Sequence, residues 1–134
     1  MGKLDGKVAF VTGAGRGQGR SHAVRFASEG ADIIAIDTTA TVGTVPYPLA
    51  SAEDLAETAW LIEKTGRRVV TGDADVRDYA SVAAVVEQGV ATLGRLDIVV
   101  ANAGICSTAP TLEMSEAVWQ DTIDVILTGV WKSL

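Results

Sequence analysis

The chain has 134 residues, 48% hydrophobic and 21% charged, the balance of one globular domain rather than a disordered or fibrous chain. Its net charge of −6 argues against general nucleic-acid binding, which needs a basic face, and one Cys with one His excludes an internal disulfide or a zinc cluster, so no metal is expected. The apolar runs are far too short for a membrane span or, after the N-terminus, for a secretory signal, so a cytoplasmic, reduced compartment is expected.

In chain order, residues 7–12 (KVAFVT) are a short apolar run closed by glycines, which predicts a buried strand. Residues 13–19 are a glycine-rich loop. Ala23, Phe26, Ala27 and Gly30 then recur at helical spacing on one face, and Gly30 suits the helix C-terminus. Residues 32–36 read as a second strand and 38–50 as a Thr/Pro/Gly loop. Ser51 with Asp54 resembles a capping box, opening a helix that carries Leu55, Ala59 and Ile62 and stops at Gly66. Residues 68–71 are a third strand. Asp78 caps a helix whose stripe is Val82, Val85, Val86, Gly89, Val90 and Leu93, closed by Gly94. Residues 96–101 (LDIVVA) are a fourth strand. Ser115 caps a last helix with Val118, Trp119, Thr122, Ile123, Ile126, Leu127 and Val130, and the helical pattern is still running at Leu134.

This strict βα alternation over residues 1–134 predicts one α/β domain, with parallel strands joined by right-handed helical crossovers. Such strands are buried on both faces, which fits their continuous Val/Ile/Ala character. Charge is unevenly spread. Residues 1–30 carry Lys3, Lys7, Arg16, Arg20 and Arg25 against Asp5 and Glu29, while the rest of the chain is strongly acidic. Basic residues gathered around a glycine-rich segment suit a small anion.

Gly13, Gly15, Arg16, Gly17, Gln18 and Gly19 stand between a strand and a helix, the context a phosphate loop requires. Glycine lets a phosphate approach the main chain, and the helix N-terminus attracts it. The spacing is GxxxGxG (Gly13, Gly17, Gly19) rather than GxGxxG, because position 18 is Gln. Asp37 follows the second strand, where an acid in a dinucleotide fold bonds the ribose hydroxyls of NAD and repels the extra phosphate of NADP. Arg16 pulls the other way, since a basic residue in the loop can serve NADP. Thr38 and Thr39 add no positive charge, so NAD is the expected cofactor and NADP the less favoured one.

Taken in order, Thr12-Gly13-x-x-x-Gly17-x-Gly19, Asp37, Asp75-Val76 and Asn102-Ala103-Gly104 resemble the motif set of the short-chain dehydrogenases/reductases over the whole chain. The resemblance implies a Rossmann-type doubly wound sheet, strand order 3-2-1-4. It implies that Asp75 contacts the adenine amino group, that Val76 walls the adenine pocket, and that Asn102 and Gly104, with Ala103 between them, shape the loop beside the cofactor ribose. The implied activity is hydride transfer between a nicotinamide and a secondary alcohol or ketone. The family's acid/base is a Tyr whose pKa is lowered by a Lys in Tyr-x-x-x-Lys. Here Tyr47 is followed by Ser51 and Tyr79 by Ala83, so neither makes that motif and no catalytic residue is assigned. The chain reads as ending before the segment that should hold it. Where the family has Asn-Leu-x-Gly in the last helix, this sequence has Ile126-Leu127-Thr128-Gly129, and Ile cannot hold a relay water.

The segment 16–23 (RGQGRSHA), the long 38–50 loop and Tyr47-Pro48-Leu49-Ala50 look like the carveol-dehydrogenase-like subset, whose members are linked to the redox carrier mycofactocin. His22 reads as a helix-surface residue and Cys106 as small apolar filler. Trp119 and Trp131 lie on the helix that in this family packs on a second subunit, which implies a homo-oligomer. The leading expectation is the cofactor-binding N-terminal portion of an NAD-dependent oxidoreductase. Its rival is a truncated, catalytically inactive nucleotide-binding or interaction protein.

Overall fold

The computed structural model describes residues 2–134. The elements are β1 Val8–Thr12, α1 Gly17–Ser28, β2 Asp32–Asp37, α2 Ala52–Glu63, β3 Val69–Asp73, α3 Tyr79–Leu93, β4 Ile98–Val100, α4 Glu116–Ile123, a π-helical stretch Asp124–Thr128, and α5 Gly129–Ser133. The strands form one sheet in the order β3-β2-β1-β4, every pairing parallel. Among the described residues no helix is long and apolar enough to cross a membrane, and no cluster of metal-ligating side chains occurs.

Side chains alternate across each strand, so the continuous apolar runs feed two separate cores. Ala9, Val11, Ile33 and Ala35 face α1 and α2, meeting Ala23, Ala27, Leu55 and Ile62. Val8, Phe10, Ile34 and Ile36 face the other way, meeting Val82 and Leu93 of α3 and Val125 of the π-helical stretch. The first interface sets the alanines of α1 against Ala9 and Ala35 of the strands, with Ile33, Leu55 and Ile62 filling the rest. The second sets large strand residues against a helix thinned by glycine: a Cβ at Gly89 would lie 2.4 Å from Ile34 Cδ1.

Burial on both faces holds for the two central strands only. Every residue of β1 is buried, but β4 is half-buried throughout and β3 fully buries only Val70. These are the sheet edges, where the covering helices run out. β4 is also shorter than its apolar run. Asn102 N–H turns back to Val100 O at 2.9 Å, which ends the strand before Ala101. Asp97 is joined to β1 by its own peptide and its side chain: its N–H donates to Val8 O (2.9 Å) and its Oδ2 accepts from Val8 N (2.9 Å).

The predicted caps form. Ser51 and Asp54 exchange the two bonds of a capping box, Asp78 accepts from Ala80 N–H, Ser115 accepts from Val118 N–H, and Gly94 closes α3 with φ of 92°. The last helix does not run as one α-helix. It widens to π geometry over Asp124–Thr128, the stretch that contains Ile126. Gly129 follows, and a Cβ there would meet Val76 Cγ2 at 2.7 Å, so the helix passes close over the turn after β3. Asp32, almost fully buried at the start of β2, is paired with Arg67 (2.7 Å) and Arg68 (2.6 Å). Burial raises its carboxyl pKa, but the Arg68 hydrogen bonds and both guanidinium charges outweigh this and the net shift is downward.

Asp97 is the acid-sensitive tie at the β1–β4 edge. Arg95 and the Val8 N–H hold its carboxyl from an ordinary 3.8 down to about 2. A depressed carboxylate adds stability that is complete above its unfolded value and disappears as pH falls through its folded value. Asp97→Asn should therefore lower the urea midpoint at neutral pH and flatten its decline from 3.8 to about 2. An acid limb unchanged from the wild type would refute this.

Candidate functional site

The carboxyl ends of β1, β2 and β4 open onto a cleft of about 370 Å³. It lies where the strand order reverses, between β1 and β4, the position at which open α/β sheets bind ligands. Gly13, Arg16, Gly17 and Gln18 line it from the glycine-rich loop, and Asp37 with Thr38 from the end of β2. Asp75 and Val76 enter from the turn after β3, and Asn102, Ala103 and Gly104 from the turn after β4. Gly15 and Gly19 stand behind this surface. Gly13 has φ of +65°, and a Cβ on Gly19 would lie 1.9 Å from Gly13 O, so the start of α1 is pressed against the end of β1.

α1 begins differently from the next three helices. Arg16 occupies the N-cap position and makes no side-chain cap bond, whereas α2, α3 and α4 begin on Ser51, Asp78 and Ser115. First-turn N–H groups left uncapped beside a cleft suit an anion.

Asp37 is half-buried. Its Oδ2 accepts from Gly15 N–H at 2.8 Å and its Oδ1 from Thr38 N–H at 2.9 Å. Burial raises its pKa; the two N–H groups and the Arg16 charge counter this only in part, and the net shift is upward. Asp75 behaves oppositely. Burial raises its carboxyl, but the hydrogen bonds and charge of Arg77 dominate and the net shift is downward.

Two supports of the loop lie outside the motif. Arg20 donates to Gly15 O from Nη2 (2.6 Å) and Nε (3.1 Å), and reaches Asp54 O (2.8 Å) and Glu57 (2.8 Å) on α2. Thr58 is fully buried; its hydroxyl donates to Ala14 O (2.9 Å) and accepts from Arg20 Nε (2.9 Å). On the far side, Thr12 Oγ1 accepts from Asn102 N–H (3.0 Å) and Ala103 N–H (2.9 Å), and Asn102 Nδ2 donates to Thr12 O (3.0 Å). The Asn102 side-chain nitrogen thus joins the ends of β1 and β4, while the residue also lines the cleft.

The 38–50 loop supplies wall residues that its polar composition hides: Val42, Leu49 and Ala50 line the cleft together with Ala74, Ile105 and Val125. The loop is tied down by Thr44 to Asp121 (2.7 Å), Ser107 to Thr44 O (2.8 Å) and Cys106 N–H to the Tyr47 hydroxyl (2.7 Å). Cys106 is exposed, so it is not core filler; the chain after the Gly104 turn runs along the surface to meet Tyr47.

A parallel sheet in this order, with a glycine-rich turn at the switch point and an acid ending β2, defines a Rossmann-type dinucleotide-binding fold. The profile of the short chain dehydrogenase family matches residues 7–133, and the chain belongs to that family. It is 50% identical over 135 residues to the (−)-trans-carveol dehydrogenase of Rhodococcus erythropolis, covering 99% of this chain and 48% of that protein. It is 52% identical over 134 residues to an uncharacterized NAD-dependent oxidoreductase of Mycobacterium tuberculosis, covering 99% and 49%. The crystal structure of carveol dehydrogenase from Mycobacterium avium in complex with NAD superposes with a TM-score of 0.96 at 53% identity, covering 99% of this chain and 48% of that one. The chain spans about half the length of the relatives it matches.

The Thr58 hydroxyl is the buried support on which the loop rests. Thr58→Val keeps the shape and removes both bonds, leaving Ala14 O and Arg20 Nε without that partner. The expected loss is about 1–3 kcal/mol, read from urea unfolding, with Thr58→Ser close to wild type. A Val variant as stable as the Ser variant would show that the hydroxyl carries nothing.

Proposed function

We propose that this chain is the NAD-binding portion of an oxidoreductase that transfers hydride between a nicotinamide and a secondary alcohol or ketone. The observation that carries the reading is Asp37, held at the cleft wall by the N–H groups of Gly15 and Thr38. A carboxylate there accepts the hydroxyls of an adenosine ribose and repels a 2′-phosphate. The residues present fit a dinucleotide. The uncapped start of α1 suits the pyrophosphate, Asp75 and Val76 suit the adenine, and Asn102 to Gly104 suit the second ribose. Gly13, Gly15, Arg16, Gly17, Gln18 and Gly19 form the phosphate turn, with Gly15 and Gly19 acting through backbone packing. Bound here, the nicotinamide supplies the hydride acceptor or donor. This chain's own residues bind and orient it.

Proton transfer belongs to no residue assigned here. The Tyr47 hydroxyl is engaged with Cys106 N–H, and Tyr79 lies 62% exposed on α3, away from the cleft. The Ile126 side chain has no donor or acceptor. These three facts favour a second reading for the chain by itself: a nucleotide-binding or interaction protein without turnover. The carveol dehydrogenase relatives support an alcohol or ketone as the substrate class. We place the protein in the cytoplasm.

We further propose a homo-oligomer formed through the last helices. Trp119, Leu127 and Trp131 are 60%, 65% and 73% exposed, and the outer edge of β4 has no strand partner among the described residues. Apolar faces and open edges of this kind recruit another copy. Light scattering should give a mass above 13.9 kDa that falls towards it when Trp119 and Trp131 are replaced by Glu. A wild type that is monomeric at all concentrations would end this proposal.

Calorimetric titration tests the cofactor. NAD should bind more tightly than NADP, and Asp37→Ala should narrow the gap. Because ribose recognition uses the ionised carboxylate and burial raises the Asp37 pKa, NAD affinity should weaken on acidification from above the ordinary value of 3.8. Asp37→Asn should remove that limb. Tighter binding of NADP by the wild type would overturn the assignment.

A further inference from the structure

We propose that Arg77, Asp121 and Thr44 act as a positioning relay, fixing the Asp75 carboxylate as an acceptor for a 6-amino purine and tying the 38–50 loop to it. This rests on the reading of the cleft as an NAD site.

The contacts run across four separate segments. Arg77 N–H donates to Asp75 Oδ1 at 2.8 Å. Its side chain returns to the same carboxylate, with Nε 3.1 Å from Oδ1 and 3.0 Å from Oδ2, and Nη2 2.7 Å from Oδ2. Both carboxylate oxygens are therefore held by one rigid guanidinium, which sets the plane of the carboxylate and leaves it acceptor capacity. The remaining arm, Nη1, reaches Asp121 Oδ1 on α4 at 3.2 Å. Asp121 Oδ2 accepts from the Thr44 hydroxyl at 2.7 Å. Lys132 Nζ, from α5, donates to Arg77 O at 2.5 Å and fixes the backbone of the same residue.

The placement explains why Arg77 is shared between two acids. Asp75 lines the cleft, and Thr44 belongs to the loop that brings Val42 and Leu49 to the cleft wall. A rotation of Asp75 would break the fork and, through Asp121, loosen the anchor of the loop. An adenine amino group donating to Asp75 would therefore meet a carboxylate already oriented, with no ordering left to do. A ligand with an acceptor in place of that amino group would face a carboxylate that cannot turn away.

That contrast separates positioning from mere support. The 134-residue chain is titrated with NAD and with nicotinamide hypoxanthine dinucleotide, in which a carbonyl oxygen replaces the 6-amino group. The wild type should prefer NAD by about tenfold or more, the scale of one hydrogen bond to a charged group. Arg77→Gln should bring the ratio close to unity, chiefly by weakening NAD. Asp121→Asn and then Thr44→Val should lower it by smaller factors. An unchanged ratio in Arg77→Gln, or an equal loss for both dinucleotides, would overturn the relay. Should Arg77→Gln not fold, the two distal variants decide, and wild-type ratios in both would overturn it. Equal wild-type affinities would refute purine reading by Asp75 while leaving the NAD reading standing. A wild type that binds neither dinucleotide would defeat both.

Discussion

The N–H of Gly15 donates to Asp37 at 2.8 Å, and the geometry of the cleft depends on that bond. It joins the glycine-rich turn to the end of β2, so the loop backbone and the Asp37 carboxylate are held as one piece at the cleft wall. The bond needs glycine, because a Cβ at position 15 would sit 2.9 Å from Asp37 Oδ2. It also needs the turn pressed down from behind, which Arg20 and Thr58 accomplish from α1 and α2. The cost of the arrangement is a partly desolvated carboxylate, and two backbone donors with a nearby Arg16 only partly offset it.

The elements of this fold are legible because each is punctuated locally. Ser51, Asp78, Ser115 and Gly94 mark helix ends by the bonds and angles they provide within three or four residues. The strand order follows from βα alternation with the family likeness. What is not legible depends on distant partners. Thr58 reads as one more helical residue, and only the fold places it under Ala14. The widened turn at Asp124–Thr128 has no sequence mark of its own, and β4 stops short because Asn102 bonds back to Val100, not because the apolar run ends. The buried-strand expectation fails at β3 and β4 because a run of Val and Ile does not reveal whether a strand is central or at the edge.

The motif residues divide by how they act. Gly13, Arg16, Gly17, Gln18, Asp37, Asp75, Val76, Asn102, Ala103 and Gly104 face the cleft directly. Gly19 acts instead through the packing of β1 against α1, and Asn102 joins β1 to β4 as well as lining the cleft. The 38–50 loop is the largest part of the site that composition conceals. Thr, Pro and Gly make it read as surface, yet its valines, Leu49 and Ala50 turn inward.

The packing of α3 on the sheet has a consequence for how this sequence can vary. Gly89 leaves no room for a side chain because Ile34 fills the space, and the two form a volume-coupled pair across the sheet–helix interface. Shrinking Ile34 alone leaves a hole, at about 2–5 kcal/mol for Ile to Ala, and enlarging position 89 alone overpacks the contact by about 1–3 kcal/mol. Exchange of bulk between the two avoids both penalties. Positions 34 and 89 should therefore drift together through related chains.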